Sequence, residues 1–135
     1  MMAGRVAVRP TDSELGILRV LWARGPSTVR QVHEALHPEP KGAAGYTTTL
    51  KLMQIMAEKG LVRRDEGARS HVYEAASPRE KTLKGLVGDF VERAFGGSAG
   101  QLVLHALSTR RASKEELAEI RKMLDEVEGG RRGSR

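Results

Sequence analysis

The chain has 135 residues, with 23 Lys and Arg against 17 Asp and Glu, and its formal net charge is +6. This length excludes a large multidomain enzyme, and the basic balance favours a polyanionic partner such as nucleic acid. Cysteine is absent, which excludes disulfide bonds, thiolate metal sites and thiol nucleophiles.

The first predicted helix starts at Thr11, after a flexible N-terminus over residues 1–10. Thr11 and Glu14 have the spacing of a capping box, in which each side chain bonds a free backbone N–H at the helix start. Gly25-Pro26 ends the helix, because glycine tolerates positive φ and proline cannot continue the hydrogen-bond ladder. Helical spacing predicts four inward apolar residues: Leu15, Leu18, Leu21 and Trp22.

The second predicted helix is short and is capped by Ser27 or Thr28. Gln31 has the position of the reciprocal partner in a capping box. Its predicted inward residues are Val29, Val32 and Leu36. Residues 37–45 follow as a loop, because this segment is rich in Pro and Gly.

The third predicted helix opens at Thr47 or Thr48, runs to Lys59 and closes at Gly60. Its predicted buried stripe is Leu50, Met53, Met56 and Ala57. On this arrangement the opposite side of the helix faces solvent.

An extended pattern replaces the helical one after Gly60. β-Branched and aromatic residues in 61–64 and 70–74 surround an Asp/Glu-Gly turn, which predicts a hairpin. Three helices followed by a hairpin predict a winged helix-turn-helix over residues 11–76. The second and third helices form the turn unit, and the hairpin forms the wing.

Three further helices are predicted over residues 77–128. Ser77 and Ser113 have the positions of N-caps, and Gly96-Gly97 separates the first of these helices from the second. The predicted fold class is therefore mostly α with a small β-hairpin. It consists of an N-terminal winged helix-turn-helix and a C-terminal three-helix dimerisation region.

The C-terminal helices are predicted to form a homodimer interface. Three helices in about fifty residues rarely enclose enough apolar surface alone, so a second copy is expected to complete the core. The predicted interface residues are Leu83, Leu86, Phe90, Leu102, Leu107, Leu117, Ile120 and Leu124. Residues 129–135 form a basic tail that is predicted to be disordered, because it has too few apolar residues to fold.

The third helix carries the side-chain types that read a DNA major groove. Thr, Lys and Gln can bond base edges or phosphates, and the free N–H groups at helix starts suit phosphate oxygens. The predicted base-reading residues are Thr47, Thr48, Lys51 and Gln54. The predicted phosphate contacts are Ser27, Thr28 and Tyr46 from helix starts. On the wing, Arg63, Arg64 and Arg69 are predicted to straddle the DNA backbone or to enter a minor groove.

An enzyme is the first alternative. Residues 33–37 match the HExxH pattern of zinc hydrolases, in which two His on one helical face bind zinc and Glu activates water. Pro38 biases His37 away from the helical conformation, so the second ligand would point elsewhere. We therefore predict no metal, cofactor or catalysis, and we place His33 and His37 at the surface.

A winged helix that binds protein, or nucleic acid without sequence preference, is the second alternative. Residues 1–80 carry 12 basic and 9 acidic side chains, a mild excess for a DNA-binding unit. A low ratio of specific to nonspecific affinity would favour this alternative.

Segments spread over most of the chain resemble one known family, that of the penicillinase and methicillin-resistance repressors. The segments are Leu21-Trp22, Gly25-Pro26-Ser27-Thr28-Val29-Arg30-Gln31-Val32, Tyr46-Thr47-Thr48-Thr49-Leu50, Glu58-Lys59-Gly60-Leu61-Val62-Arg63-Arg64, Tyr73, Phe95-Gly96-Gly97-Ser98 and Leu102-Val103. The resemblance implies a dimeric repressor that binds a pseudo-palindromic operator, in a response to β-lactams or cell-wall stress. It assigns DNA binding to the winged helix and dimerisation to the C-terminal helices.

The chain also departs from the family pattern. Gln54-Ile55 stands where the family often has Lys-Arg, which changes the expected base preference. Family members induced by a membrane sensor protease are cut at an Asn-Phe step, and the matching positions here are His105 and Ala106. Copper-responsive relatives carry a Cys motif, which this chain lacks.

The predicted compartment is the cytoplasm. No apolar run approaches the roughly 20 residues of a membrane span, and the first ten residues lack a secretory apolar stretch. No membrane partner is therefore expected.

Overall fold

A computed structural model describes residues 9–39, 45–67 and 71–133 of the chain. Within these ranges the elements in chain order are α1 (Asp12–Arg24), β1 (Ser27–Thr28), α2 (Val29–Leu36), α3 (Tyr46–Lys59), β2 (Val62–Asp65), β3 (Val72–Ala75), α4 (Arg79–Phe95), α5 (Ala99–Thr109) and α6 (Lys114–Gly133). The predicted fold class is confirmed, since three helices and a hairpin precede three further helices.

Capping interactions set most of the helix ends where the sequence predicts them. Thr11 Oγ1 accepts from the Glu14 N–H at 3.2 Å, while the Thr11 N–H donates to Glu14 Oε1 at 2.9 Å. Thr28 and Gln31 form the same reciprocal pair at the start of α2. Both capping boxes are confirmed, and so is Ser113 as the predicted N-cap of α6, where Ser113 and Glu116 form the same reciprocal pair.

The start of α3 differs from the prediction that Thr47 or Thr48 caps it. The helix begins at Tyr46, and its N-cap is Gly45, with φ of 87° in the left-handed region. Glycine takes this conformation without the steric cost that a Cβ imposes. The two threonines therefore lie inside the first turn, and their hydroxyls are not the cap.

The wing belongs to a three-stranded antiparallel sheet with strand order β1-β3-β2. The predicted hairpin of β2 and β3 is confirmed, with Arg63 opposite Glu74 and Arg64 opposite Tyr73. The third strand, β1, is not among the predicted elements, because Ser27 and Thr28 have the sequence pattern of a helix start. Ser27 pairs with Tyr73, which is 1% exposed at the centre of the sheet.

One apolar core fills the winged helix-turn-helix. Its buried members come from α1, α2, α3 and the hairpin: Ile17, Leu18, Leu21, Val29, Val32, Met53, Met56, Val62 and Tyr73. The predicted inward residues Trp22, Leu50 and Ala57 pack against it as partly buried side chains. The core holds α3 by the face that contains Met53 and Met56, which leaves the opposite face to solvent.

A part-buried ion pair joins the first helix to the last residue of α3. Glu14 is 2% exposed, and Lys59 Nζ donates to both of its carboxylate oxygens at 3.0 and 2.8 Å. Burial by itself raises the pKa of Glu14, but the Lys59 ammonium and the Thr11 N–H outweigh it and lower the pKa below its ordinary value. Glu14 is therefore a charged residue inside the fold.

The chain divides into two compact units, Met1–Gly88 and Asp89–Arg135. The division lies inside α4, whereas the sequence predicted a boundary between residues 76 and 77. The Trp22 indole N–H donates to the Ser77 carbonyl at 3.0 Å, which ties the segment before α4 to α1 and keeps it with the winged unit.

The second unit contains the end of α4 and all of α5 and α6. Gly96 and Gly97, with φ of 56° and 90°, separate α4 from α5 as predicted. Helix α6 continues to Gly133, beyond residue 128 where the sequence predicted a disordered tail to begin. Arg135 lies outside the described residues.

The helices of the described ranges share one further property. None of them is both long and apolar enough to cross a lipid bilayer.

Candidate nucleic-acid interface

The exposed face of α3 carries the four predicted base-reading residues. Thr47, Thr48, Lys51 and Gln54 are all exposed, and Met53 and Met56 are buried on the other side. Ile55 is half-buried, so Gln54 is the member of that pair that faces solvent. The face therefore presents hydroxyls, an ammonium and an amide, the groups that bond base edges in a major groove.

The N-terminal half of this face suits an anion better than the C-terminal half. The first turn of α3 contains no acidic residue, and its free N–H groups and helix dipole favour negative charge. Glu58 is exposed near the other end and would repel phosphate. The helix start at Tyr46 is thus the end of the face that is better suited to an anion.

Tyr46 is half-buried between two side chains of α2. The Arg30 guanidinium carbon lies 5.2 Å from the centre of the Tyr46 ring, a cation–π arrangement. The His33 ring meets the Tyr46 ring edge-on, with centroids 5.7 Å apart. Arg30 is exposed and was not among the predicted contacts, although its place one turn before His33 on the same predicted helix was visible in the sequence.

The prediction that His33 lies at the surface is wrong. Its side chain is 3% exposed, and its Nδ1 lies 2.9 Å from Thr49 Oγ1 on α3. Thr49 is buried as well, at 4%. The pair is a polar contact within the helix-turn-helix, between α2 and α3.

The geometry of the HExxH segment does not fit a zinc site. Helix α2 ends at Leu36, and His37 is its C-cap, with φ of −132° and ψ of 75°. His33 Nδ1 is hydrogen-bonded to the Thr49 hydroxyl. In the part of the chain that the structure describes, no cluster of three or more His, Cys, Asp or Glu could hold a metal ion.

Of the two predicted phosphate contacts at the start of α2, one is not accessible. Ser27 is 1% exposed, and its hydroxyl donates to the Gly25 carbonyl at 2.9 Å, because β1 places it inside the sheet. The prediction that Ser27 contacts phosphate is therefore wrong. Thr28 is half-buried, and its hydroxyl oxygen caps α2.

The two described wing arginines each have a carboxylate partner on the same hairpin. Arg63 Nε lies 3.5 Å from Glu74 Oε2, and Arg64 bonds Glu66. Neighbouring residues of a strand point to opposite faces, so the two guanidinium groups lie on different sides of the wing. Arg69 lies outside the described residues.

Arg64 also contacts the sheet centre. The hydrogen bond with the buried Tyr73 hydroxyl is the main cause that raises the pKa of Arg64 above its ordinary value, and Glu66 adds to it. Arg63, with 64% of its side chain exposed, is the freer of the two cations to meet a phosphate. Phosphate binding by either arginine stays a prediction.

The sequence profile of the family described as penicillinase repressor matches residues 10–126. This chain is a member of the penicillinase repressor family. The resemblance found from the sequence is thereby confirmed. The family consists of transcriptional repressors, which bind DNA and are not enzymes.

Relatives of this family member match along most of their length. It is 34% identical over 121 residues to "Transcriptional regulator BlaI" of Mycobacterium tuberculosis, in two strains, which covers 88% of this chain and 85% of the relative. It is 23% identical over 116 residues to "Penicillinase repressor" of Bacillus licheniformis, with coverages of 86% and 89%. The solution structure of apo-NmtR shares 23% identity over 67% of each chain, with a TM-score of 0.42.

The predicted interface residues of the repressor leave apolar surface uncovered. All eight are described, and none is buried; Leu83, Leu86, Leu102, Leu117 and Ile120 are half-buried. The most exposed are Phe90 at 47%, Leu107 at 41% and Leu124 at 56%. In the second unit, Val91 is the buried apolar residue among those described.

The two positions that the sequence suggests as a proteolytic step, His105 and Ala106, lie within α5. The His105 ring packs against the Phe95 ring, with centroids 5.3 Å apart, and both His105 and Ala106 are exposed. The Ala106 carbonyl accepts from the Arg110 N–H at 3.1 Å, which is the last bond of the helix. The step is accessible at its side chains while its backbone is helical.

Proposed function

We propose that the protein represses transcription as a homodimer that binds a pseudo-palindromic operator sequence-specifically. The observation that carries this proposal is the exposed polar face of α3. Thr47, Thr48, Lys51 and Gln54 lie on one side of a helix whose other side is anchored in the core. A rigid helix with such a face fits the major groove and can discriminate base pairs.

Base reading and phosphate binding are divided among the elements. Thr47, Thr48, Lys51 and Gln54 read base edges. Thr28 and Tyr46 meet phosphates beside the start of α3, and Arg30 adds a cation next to Tyr46. On the wing, Arg63, Arg64 and Arg69 track the DNA backbone. A phosphate there competes with Glu74 for Arg63 and with Glu66 for Arg64.

Dimerisation follows from the uncovered apolar residues of the C-terminal helices. Phe90, Leu107 and Leu124 are each more than 40% exposed, and covering them with a second copy removes this surface from water. A two-fold axis then presents two copies of α3 to half-sites separated by about one or two turns of DNA.

The inducing conditions are proposed from the relatives. One relative is named a penicillinase repressor, and on that basis we propose that this protein responds to β-lactams or cell-wall stress. As a repressor it would act on DNA in the cytoplasm. Cleavage by a sensor protease at His105-Ala106 would inactivate it. Because this step lies inside α5, cleavage requires the helix to open locally, and replacing Ala106 by Pro is expected to change the cleavage rate.

Selection of bound duplexes from a random DNA pool tests the proposal. The full chain is incubated with the pool near physiological salt, and the retained DNA is sequenced. An enriched inverted repeat is the expected result. Recovery of DNA without enrichment would overturn the proposal in favour of nonspecific nucleic-acid or protein binding. The acidic partners of Arg63 and Arg64 fit that result, because they reduce the positive charge that the wing offers to DNA.

A further inference from the structure

His33 is a buried polar side chain at the contact between α2 and α3. It is 3% exposed, and its Nδ1 lies 2.9 Å from the hydroxyl of Thr49. A buried imidazole is costly to desolvate unless its nitrogens are bonded. An apolar side chain would fill the same place at lower cost, so the hydrogen bond provides a geometric constraint between the two helices.

The hydrogen bond continues to the residue where α3 begins. Thr49 Oγ1 donates to the Gly45 carbonyl at 3.5 Å, and the Thr49 N–H donates to the same oxygen at 3.1 Å. A hydroxyl has one hydrogen, so a hydroxyl that donates to Gly45 accepts from His33, whose proton is then on Nδ1. His33 is thus linked through Thr49 to the N-cap of α3.

The His33 ring also contacts the side chain of Tyr46, the first residue of α3. Tyr46 meets the His33 ring edge-on, and Arg30 covers the Tyr46 ring from solvent. Gly45 lies close as well, since a Cβ there would be 3.8 Å from His33 Cε1. One buried ring therefore supports the N-cap, the first residue and the first turn of α3.

We propose that His33 is a positioning residue that sets the start of α3 for operator recognition. The inference rests on the proposed function, because it assigns His33 a part in sequence discrimination. Thr47 and Thr48 follow Tyr46 directly, so a shift of the first turn moves both of them relative to base edges. The other proposed phosphate contacts, Thr28 before α2 and the arginines of the wing, lie outside this turn, so such a shift changes them less.

The test uses the full chain and three substitutions in parallel. His33→Leu keeps the apolar volume and removes the hydrogen bond to Thr49. His33→Asn retains a polar atom near the position of Nδ1 and can still bond the hydroxyl. His37→Leu is the matched control, because His37 is exposed at the end of the same helix and touches the His33 ring, with centroids 4.7 Å apart.

Each variant is measured for affinity to the selected operator and to a scrambled duplex, and for its melting temperature. We expect His33→Leu to lose about tenfold in operator affinity while affinity for the scrambled duplex changes by less than about twofold. His33→Asn should recover most of the discrimination, and His37→Leu should retain it. A role confined to stability would lower the melting temperature and the affinities for both duplexes together.

Thr49→Val keeps the test decisive if His33→Leu does not fold. It preserves the shape of a β-branched side chain and removes the hydroxyl, and the same selective loss is expected. Wild-type discrimination retained by both variants would overturn the inference alone. Wild-type protein that does not distinguish the two duplexes would overturn the proposed function, and this inference with it.

Discussion

At the residue scale, the polar side chains that matter divide into those that face solvent and those that the fold encloses. Lys51 and Gln54 could be placed on the exposed side of α3 from the spacing of Met53 and Met56 alone. Ser27 and His33 could not, because their burial depends on the strand and helix packed against them. A local pattern reports the face of a helix, whereas burial of one residue requires distant neighbours.

Lys51→Ala tests whether the ammonium reads a base. We expect operator affinity to fall by about tenfold or more and affinity for random DNA to fall less, because a base contact contributes only at the correct sequence. Binding is measured by fluorescence anisotropy over a range of salt concentrations. Lys81→Ala on α4 is the control, since Lys81 is also exposed. Equal losses on both duplexes would remove Lys51 from the base-reading residues.

Glu14→Gln tests the ion pair with Lys59. The fold lowers the pKa of Glu14 below its ordinary value of 4.5, so the ionised carboxylate stabilises the folded protein at pH values above 4.5. This stabilisation is lost as the pH falls through the lowered pKa. We expect a loss of about 1–3 kcal/mol in the free energy of unfolding at pH 7, since Lys59 is partly exposed. The difference from wild type should narrow as the pH falls below 4.5.

Urea denaturation at neutral and acid pH provides the measurement for Glu14→Gln. Glu58→Gln serves as the control, because Glu58 is an exposed acid in the last turn of α3. It should change the free energy of unfolding by less than about 0.5 kcal/mol. A loss for Glu14→Gln that stayed constant down to acid pH would contradict the ion-pair explanation.

At the element scale, the ends of helices were the most predictable features, but two predicted ends were wrong, the start of α3 and the end of α6. The capping boxes of Thr11 and Thr28 are interactions between residues three apart, so their spacing is readable in the sequence. The start of α3 is different, because Gly45 caps it through backbone conformation and offers no side-chain signal beyond being glycine. The sequence pattern instead favoured Thr47 or Thr48, which lie within the first turn of the helix.

Gly45→Ala and Gly16→Ala form a matched pair that tests this account of α3. Gly45 has φ of 87°, so alanine is strained there and should cost about 1 kcal/mol or more of stability, although a Cβ would have room. Gly16 lies inside α1 with nothing within 4 Å of a Cβ, so alanine should stabilise by about 0.5–1 kcal/mol. Thermal unfolding monitored by circular dichroism measures both. The same sign for both substitutions would contradict the left-handed cap.

At the scale of the whole molecule, the two units differ in how much apolar surface they enclose. The winged unit buries its core, from Ile17 on α1 to Tyr73 on β3. The second unit leaves Leu104, Met123 and Leu124 more than half exposed. A single copy is enough to bury the apolar core of the first unit. It leaves apolar surface on the second unit that a partner chain would cover.

Leu124→Asp tests the predicted dimer interface. Two buried charges per dimer are expected to convert the protein to a monomer at micromolar concentration, measured by sedimentation equilibrium. Met123→Asp is the control, because Met123 is exposed to 63% on the same helix but lies outside the predicted stripe of Leu117, Ile120 and Leu124. A Leu124→Asp protein that remained dimeric would contradict this interface, and a monomeric Met123→Asp protein would place it on another face of α6.

The order of the helices and of the hairpin, most of the helix ends, and the face of α3 that meets solvent were determined by the sequence alone. Capping boxes, glycine stops and helical spacing act between residues at most about four apart, which is why they can be read from the chain directly. The tertiary structure decided the strand β1, the burial of His33 and the ion pair between Glu14 and Lys59. These depend on residues that are far apart in the chain, 16 positions for His33 with Thr49 and 45 for Glu14 with Lys59, and only the packed fold brings such residues together.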